Sequence, residues 1–345
     1  MFFKQEVFSL WIGPELSIME QVCISSYLSK NINFILYIYE PVKNVPQGTI
    51  VENGNKIIPY TKYAKYNNPS FFSNLFRYKR LYELGGIWVD MDLICLKSPI
   101  VLMKYNKYIF SSEISNNKQH INAGIIGCPQ RSLLMHDCYQ EVKQCIKDKN
   151  IIIKQGMLGP KLLKNNVEKH NLEHYVEPYF VFCVYGYKEI DKIFLKKDNN
   201  NILNDKEILG IHLWNNVVAK SKDNLKTQIR KDSIYYNIIM QFYSKNTFNA
   251  VVPFFQNNKE NMLSLTNNNL NICVCNSETT IKETKDNNPC CIIVLVKKDI
   301  NTFISSINKN NTNIYSLVDK VHVENFSNYT KEKKNSIKNI LKINV

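Results

Sequence analysis

Hydrophobic and polar positions switch between two periods along the first hundred residues. Val7 to Ile12 reads as a strand, and Ile18 to Leu28 carries Ile18, Val22 and Leu28 at helical spacing. Phe34 to Tyr39 is an unbroken apolar run of strand length. Pro69-Ser70 opens a second helix over Phe71 to Leu84, and Gly85-Gly86 ends it by offering residues that take left-handed backbone without a Cβ penalty. A short buried strand, Ile87 to Val89, then runs straight into Asp90-Met91-Asp92. This alternation predicts an α/β class built on βαβ units, with both faces of the sheet covered.

Farther on, Tyr108 to Ser111 and Ile125 to Cys128 read as strands and Ser132 to Lys147 as a helix. Pro160 to Lys169 reads as a helix with proline in its first turn, Ile208 to Leu213 as the last strand of this domain, and Thr227 to Tyr243 as a closing helix. From Asn246 to Asn288 the chain turns polar and Asn-rich, the composition of a linker. The expected division is therefore a first domain over 1–245 and a C-terminal region over 246–345. That region shows a strand at Cys290 to Val296, a helix near Ile300 to Ile307 and a Lys/Asn tail, consistent with a small α/β unit that carries no readable motif.

Composition narrows the class. With 345 residues, 44% hydrophobic and 21% charged, the chain can bury one large core or two ordinary ones. No run approaches the ~20 consecutive apolar residues of a spanning helix, and Lys4, Gln5 and Glu6 interrupt the apolar start. The expectation is a chain without membrane anchor or secretory signal, cytoplasmic or peripheral on the cytoplasmic face of a membrane. Lys and Arg number 44 against 30 acids, giving +14, which favours anionic partners including acidic lipid. The lysines are dispersed among asparagines instead of clustered with aromatics, so a nucleic-acid partner is not expected.

Of ten cysteines, Cys95, Cys128 and Cys183 lie in apolar runs and read as buried thiols. Cys273, Cys275, Cys290 and Cys291 fit no usual zinc spacing, and the sequons at Asn310, Asn325 and Asn328 are of the kind an Asn-rich chain produces by chance.

The candidate chemistry sits between residues 73 and 92. Asn74 and Arg77, three apart on a helix, share a face and set an amide beside a guanidinium. Asp90 and Asp92, two apart on extended chain, point to one side, where two carboxylates repel unless a cation joins them. Such oxygen ligands suit Mg²⁺ or Mn²⁺ completed by substrate phosphates, and the planar fork of Arg77 suits a diphosphate. The end of a central α/β strand is also where ligands of such sheets usually bind. Glu113, just past the strand at 108–111, reads as a solvated acid.

The string Ser73 to Leu93, SNLFRYKRLYELGGIWVDMDL, resembles the D-x-D glycosyltransferases of family 32, which include alpha-1,4-galactosyltransferases and capsular polysaccharide enzymes. The resemblance extends to Leu10-Trp11-Ile12-Gly13, Ile121-Asn122-Ala123-Gly124, Gly159-Pro160-Lys161-Leu162-Leu163 and Ile211-His212-Leu213-Trp214-Asn215, covering about residues 5 to 220 in order. No comparable resemblance appears after 250. Where the family commonly has an aspartate, this chain has Asn74, which exchanges a carboxylate contact to ribose or sugar for an amide contact.

The resemblance implies a GT-A fold, Rossmann-like with a mixed central sheet, and a retaining hexosyltransferase that uses Mn²⁺ or Mg²⁺. It implies a nucleoside diphosphate sugar as donor, UDP-galactose, UDP-glucose or UDP-N-acetylglucosamine ahead of GDP-mannose, and a glycan or lipid-linked acceptor, as in polysaccharide biosynthesis. Asp90, Asp92 and Arg77 carry catalysis in that reading, with Asp92, Asp90 and His212 at the metal. Trp11, Asn74, Arg77, Asp90, His212, Trp214 and Asn215 bind the donor, and Asn122 and Gly124 face the sugar or acceptor. The alternatives are a nucleotide-sugar-binding subunit without transfer activity, which Asn74 favours, and, less favoured, a basic nucleic-acid-binding protein.

Overall fold

The computed structural model describes residues 6–60, 69–103, 107–148, 154, 156–199, 201–221, 225 and 228–251, together with strand segments 263–267, 270–275, 291–296 and 318–323. The chain divides into two units. The first comprises Met1–Trp11, Ser17–Tyr37 and Gly54–Ser244, and the second Ile12–Leu16, Ile38–Asn53 and Lys245–Val345.

In the first unit, β1 (Val7–Leu10) is buried along its whole length and pairs in parallel with β2 (Phe34–Ile38), Val7 opposite Phe34. Its other edge pairs in parallel with β5 (Gly86–Val89). The remaining neighbours are antiparallel: β5 with β8 (Lys118–Cys128), and β8 with β7 (Ile109–Ser115). The order β2-β1-β5-β8-β7 makes a mixed sheet, the class the resemblance implied. β5 sits at its centre, and the D-x-D motif leaves from its end.

Two helices flank β1 in sequence or space. α1 (Ile18–Leu28) starts from a capping box in which Glu20 accepts the Ser17 N–H at 2.7 Å. α2 (Pro69–Leu84) is tied to the sheet by Arg80, a fully buried guanidinium lying 4.1 Å over the Phe8 ring. Arg80 also donates to the Tyr37 hydroxyl at 2.8 Å and pairs with Glu6 at 3.3 Å. Burying that charge is tolerable because its donors are met. The helix stops at Gly85, whose φ of +68° is left-handed; a Cβ there would lie 2.5 Å from the backbone nitrogen of Gln130. This turn aims β5, and hence Asp90 and Asp92, at the sheet end.

α3 (Leu133–Lys147) is capped by Ser132, which accepts the Met135 N–H. The helix expected from Pro160 is instead a single π-type turn, Met157–Lys161, followed by α4 (Leu162–Lys169), because Gly159 leaves helical geometry. The apolar run 208–213 reads in sequence as the last strand of the first domain. Only Gly210–His212 (β9) is strand, and it pairs with β6 (Leu93–Cys95) in a separate two-stranded ladder, Leu93 opposite His212. α5 (Asn215–Lys220) follows at once, and α6 (Ile234–Phe242) starts later than expected, at the Ser233 cap.

The strands of the second unit are β3 (Val42–Pro46), β4 (Ile50–Asn53), β10 (Thr247–Val251), β11 (Leu263–Asn267), β12 (Leu270–Cys275), β13 (Cys291–Val296) and β14 (Val318–Val323). Six of them form a sheet in the order β14-β13-β12-β11-β10-β3. β3 pairs antiparallel with β10, which is why a segment near residue 40 joins the C-terminal unit instead of the expected 1–245 domain. β12 and β13 pair in parallel, and the other contacts are antiparallel. The Asn-rich stretch is therefore not a plain linker. Leu263 and Leu265, then Leu270, Ile272 and Val274, alternate with period two beneath the polar composition. The helix expected at 300–307, Cys290 and the three sequons lie outside the described residues. No helix among the described residues is long and apolar enough to cross a membrane.

Candidate active site

β5 delivers Asp90 into a ring of donors. Its backbone N–H reaches the Gly124 carbonyl at 2.8 Å, and Oδ1 accepts the Trp88 indole N–H at 2.9 Å. Arg77 Nη1 stands 3.1 Å from the same oxygen. Arg77 is itself held in place: Nη1 donates to the Ala123 carbonyl at 2.7 Å, Nη2 to the Ser73 hydroxyl at 3.0 Å, and the guanidinium lies 4.4 Å over the Trp88 ring. A group so fixed presents charge without further ordering. Burial pushes the Asp90 carboxyl up and Asp92 adds to it, while Arg77 opposes both; the net displacement is upward.

Asp92 is gripped from the opposite side. Oδ2 accepts the Asn215 backbone N–H at 2.7 Å, and Oδ1 lies 3.2 Å from His212 Nε2. Its carbonyl accepts the Leu213 N–H at 2.9 Å. Burial raises the Asp92 carboxyl, but the His212 charge and hydrogen bond and the Asn215 N–H outweigh it, so Asp92 ends below the ordinary range. His212 shows the reverse balance: burial disfavours its charged form, and Asp92 wins, holding the imidazole well above the usual value. Its Nδ1 is 3.8 Å from the buried Cys183 thiol.

Ligand atoms of Asp90, Asp92 and His212 all lie within 4.8 Å of one another. Two half-buried like charges and a buried imidazole, converging at one point, form a donor set that fits Mn²⁺ or Mg²⁺, with the nitrogen better suited to Mn²⁺. The fold supplies the third member only through the β6–β9 ladder, so the strand that departs from the main sheet completes the cluster.

The closing loop adds a wall. Trp214 takes left-handed backbone, φ 58°, lies with its ring tilted 31° and centred 4.0 Å from the His212 ring, and donates its indole N–H to the Tyr185 carbonyl at 2.9 Å. Asn215 donates its amide to Glu20 Oε1 at 3.0 Å, leaving its own Oδ1 buried without a partner. Asn122 Oδ1 accepts the Gly124 N–H at 2.6 Å, and a Cβ on Gly124 would come within 2.7 Å of that oxygen.

Of the residues singled out in the sequence, the structure gathers Arg77, Asp90, Asn122, Gly124, Asp92, His212, Trp214 and Asn215 into one network. Asn74 is buried on α2 beside Gly159, where a Cβ added to the glycine would lie 3.2 Å from the Asn74 amide oxygen. Trp11 follows β1, donates its backbone N–H to the Tyr37 carbonyl at 2.9 Å and has a buried indole nitrogen without a hydrogen-bond partner.

Three contributors escape a motif search. Glu20 lies at a helix start, where a capping role explains it fully, and Cys183 reads as a small hydrophobe. Glu113 is not the solvated acid its strand-end position suggests. It is half-buried, with Oε2 enclosed and unpartnered, and burial raises its carboxyl although Asn122 hydrogen-bonds to it.

Residues 19–113 match the model of the glycosyltransferase sugar-binding region containing a DXD motif. The matched stretch includes Glu20, Asn74, Arg77, Asp90, Asp92 and Glu113, whereas Asn122, Gly124, His212, Trp214 and Asn215 lie beyond it and join these residues by geometry alone. Solved structures similar to the chain include the following two. One is the PaToxG glycosyltransferase, 13% identical over 49% of this chain and 70% of that one, with a TM-score of 0.35. The other is the UDP-bound glycosyltransferase domain from the YGT toxin, 10% identical over 70% of this chain and 82% of that one, with a TM-score of 0.30. No curated protein matches the chain.

Proposed function

We propose that the protein transfers a hexose from a UDP-linked sugar to a hydroxyl acceptor with retention of anomeric configuration, in a reaction that depends on a divalent cation. The observation that carries this reading is the convergence of Asp90, Asp92 and His212 beside the fixed guanidinium of Arg77. When bound there, Mn²⁺ or Mg²⁺ supplies positive charge against a leaving diphosphate.

The chain's own residues set the rest. Arg77, braced by Ala123, Ser73 and Trp88, orients Asp90 and offers a second cation to the diphosphate side. Asn215 and His212 hold Asp92 in one rotamer, so both carboxylates stay aimed at one point. Trp214, packed at a tilt against His212, adds apolar surface that keeps water from the donor. Asn122 and Glu113 offer hydrogen-bonding groups on the remaining side, where sugar and acceptor hydroxyls would lie. The intact acidic pair favours catalysis over mere donor binding despite Asn74.

The charge of +14 supports a working position on the cytoplasmic face of an anionic membrane. Sedimentation with liposomes tests this: recovery with anionic but not neutral vesicles is expected, and equal recovery in both supernatants contradicts it.

The activity is tested by donor hydrolysis without acceptor, using UDP-glucose, UDP-galactose, UDP-N-acetylglucosamine and GDP-mannose, each with Mn²⁺ or chelator. Metal-dependent nucleotide release from one UDP-sugar, lost in Asp92→Ala, is the expected result. Silence with all four donors, together with no donor binding by calorimetry, would sink the proposal and favour a role outside sugar transfer.

A further inference from the structure

A cavity of about 440 Å³ lies between β8, the π-type turn and α4, and no step proposed above uses it. Its lining includes His120 and Ile121 of β8, Lys154, Met157 and Lys161 around the π-type turn, and Lys164 of α4. Three lysines and a histidine line it, and among the described residues no acid does. Lys164 pairs with Glu168 at 3.2 Å on the side away from the turn in sequence. Lys154 and Lys161 have no carboxylate in ion-pair reach among the described residues.

Its place in the fold connects it to the chemistry. On β8 the lining residues His120 and Ile121 directly precede Asn122, Ala123 and Gly124, which hydrogen-bond within the Asp90 network. On the π-type turn, Met157, Pro160 and Lys161 line the cavity while Gly159, between them, lies against Asn74. The strand and the turn that line the cavity thus continue directly into residues of the site.

We propose that this cavity binds a phosphoryl group carried by the acceptor. Several ammonium groups around one space suit a multiply charged phosphate better than a single carboxylate, because each lysine acts as a mobile point charge. Ile121, Met157 and Pro160 add apolar surface on which the carbon skeleton attached to the phosphate can rest. The volume is ample for a phosphorylated sugar. This inference rests on the transferase reading for the word acceptor, but the binding itself does not.

The test follows the methyl NMR signal of Met157 in the full chain during titration with inorganic phosphate, with excess UDP and diamagnetic Mg²⁺ present to fill the donor site. Saturable shifts are expected, weakened about tenfold or more in Lys154→Glu/Lys161→Glu. Two further arms, glucose 6-phosphate and a short-chain isoprenoid phosphate, distinguish a soluble acceptor from a lipid-linked one by which binds more tightly than phosphate alone. Linear, unsaturated shifts, or equal affinity in the double variant, would overturn the proposal. Calorimetry with UDP on the same samples reports on the donor site separately. Lost UDP binding with saturable phosphate binding would count against the transferase and leave the phosphate site standing. Donor hydrolysis is expected to be unchanged in the double variant, since neither lysine touches the donor network.

Discussion

The Asn215 backbone N–H meets Asp92 Oδ2 at 2.7 Å across 123 positions of chain, and the Asn215 side chain reaches Glu20 Oε1 in the opposite direction at 3.0 Å. One residue thus ties the start of α1 to the Asp92 carboxylate. Glu20 is the hinge of that arrangement, since it also caps its own helix. Glu20→Ala should cost about 1–2 kcal/mol by chemical denaturation, through the lost cap and the stranded Asn215 amide. It should also weaken Mn²⁺ binding, whereas Ser17→Ala, which leaves Glu20 with Asn215, should lower stability without changing metal affinity.

Gly124 is kept small by its neighbours. A methyl group there would press on Asn122 Oδ1 at 2.7 Å and touch the His212 ring at 3.5 Å. Gly124→Ala is therefore expected to cut turnover more than stability, because Asn122 and His212 must both give way. Steady-state donor hydrolysis beside a melting curve checks this; a large loss of stability with normal residual turnover would contradict it.

Asp137 offers a pH-dependent test remote from the site. It accepts from Lys169 at 2.8 Å and from His170 at 3.0 Å, joining α3 to α4, and Lys169 first among these partners holds its carboxyl down to about 2. A depressed carboxylate stabilises the fold above its unfolded value near 3.9 and loses that effect as pH falls through the folded value. Asp137→Asn should thus cost ~0.5 kcal/mol at neutral pH, a partly exposed pair, and almost nothing near pH 2. Urea unfolding at both pH values measures the difference.

Much of this was legible in the residues themselves. The apolar runs that became β1, β2 and β5, the Gly85 stop and the pairing of Asp90 with Asp92 follow from local periodicity and turn chemistry. His212 was legible only through the resemblance of the Ile211 to Asn215 string, because periodicity says nothing of its role, which depends on β9 pairing with β6, a contact between segments far apart in sequence. Glu113 misled for a related reason: a strand-end acid is normally solvated, and only the neighbouring Asn122 and the covering fold enclose it. The Asn-rich stretch failed differently, since composition there hides a period-two alternation that long-range pairing with β3 turns into sheet.

The central claim is that Asp90, Asp92 and His212 jointly hold a divalent cation that binds the donor's diphosphate. Calorimetric titration of UDP into the protein with Mn²⁺, with chelator, and into Asp92→Asn with Mn²⁺ tests it most directly. The account expects saturable binding in the first case alone, weakened by roughly tenfold or more in the other two. Equal UDP affinity in all three would contradict it.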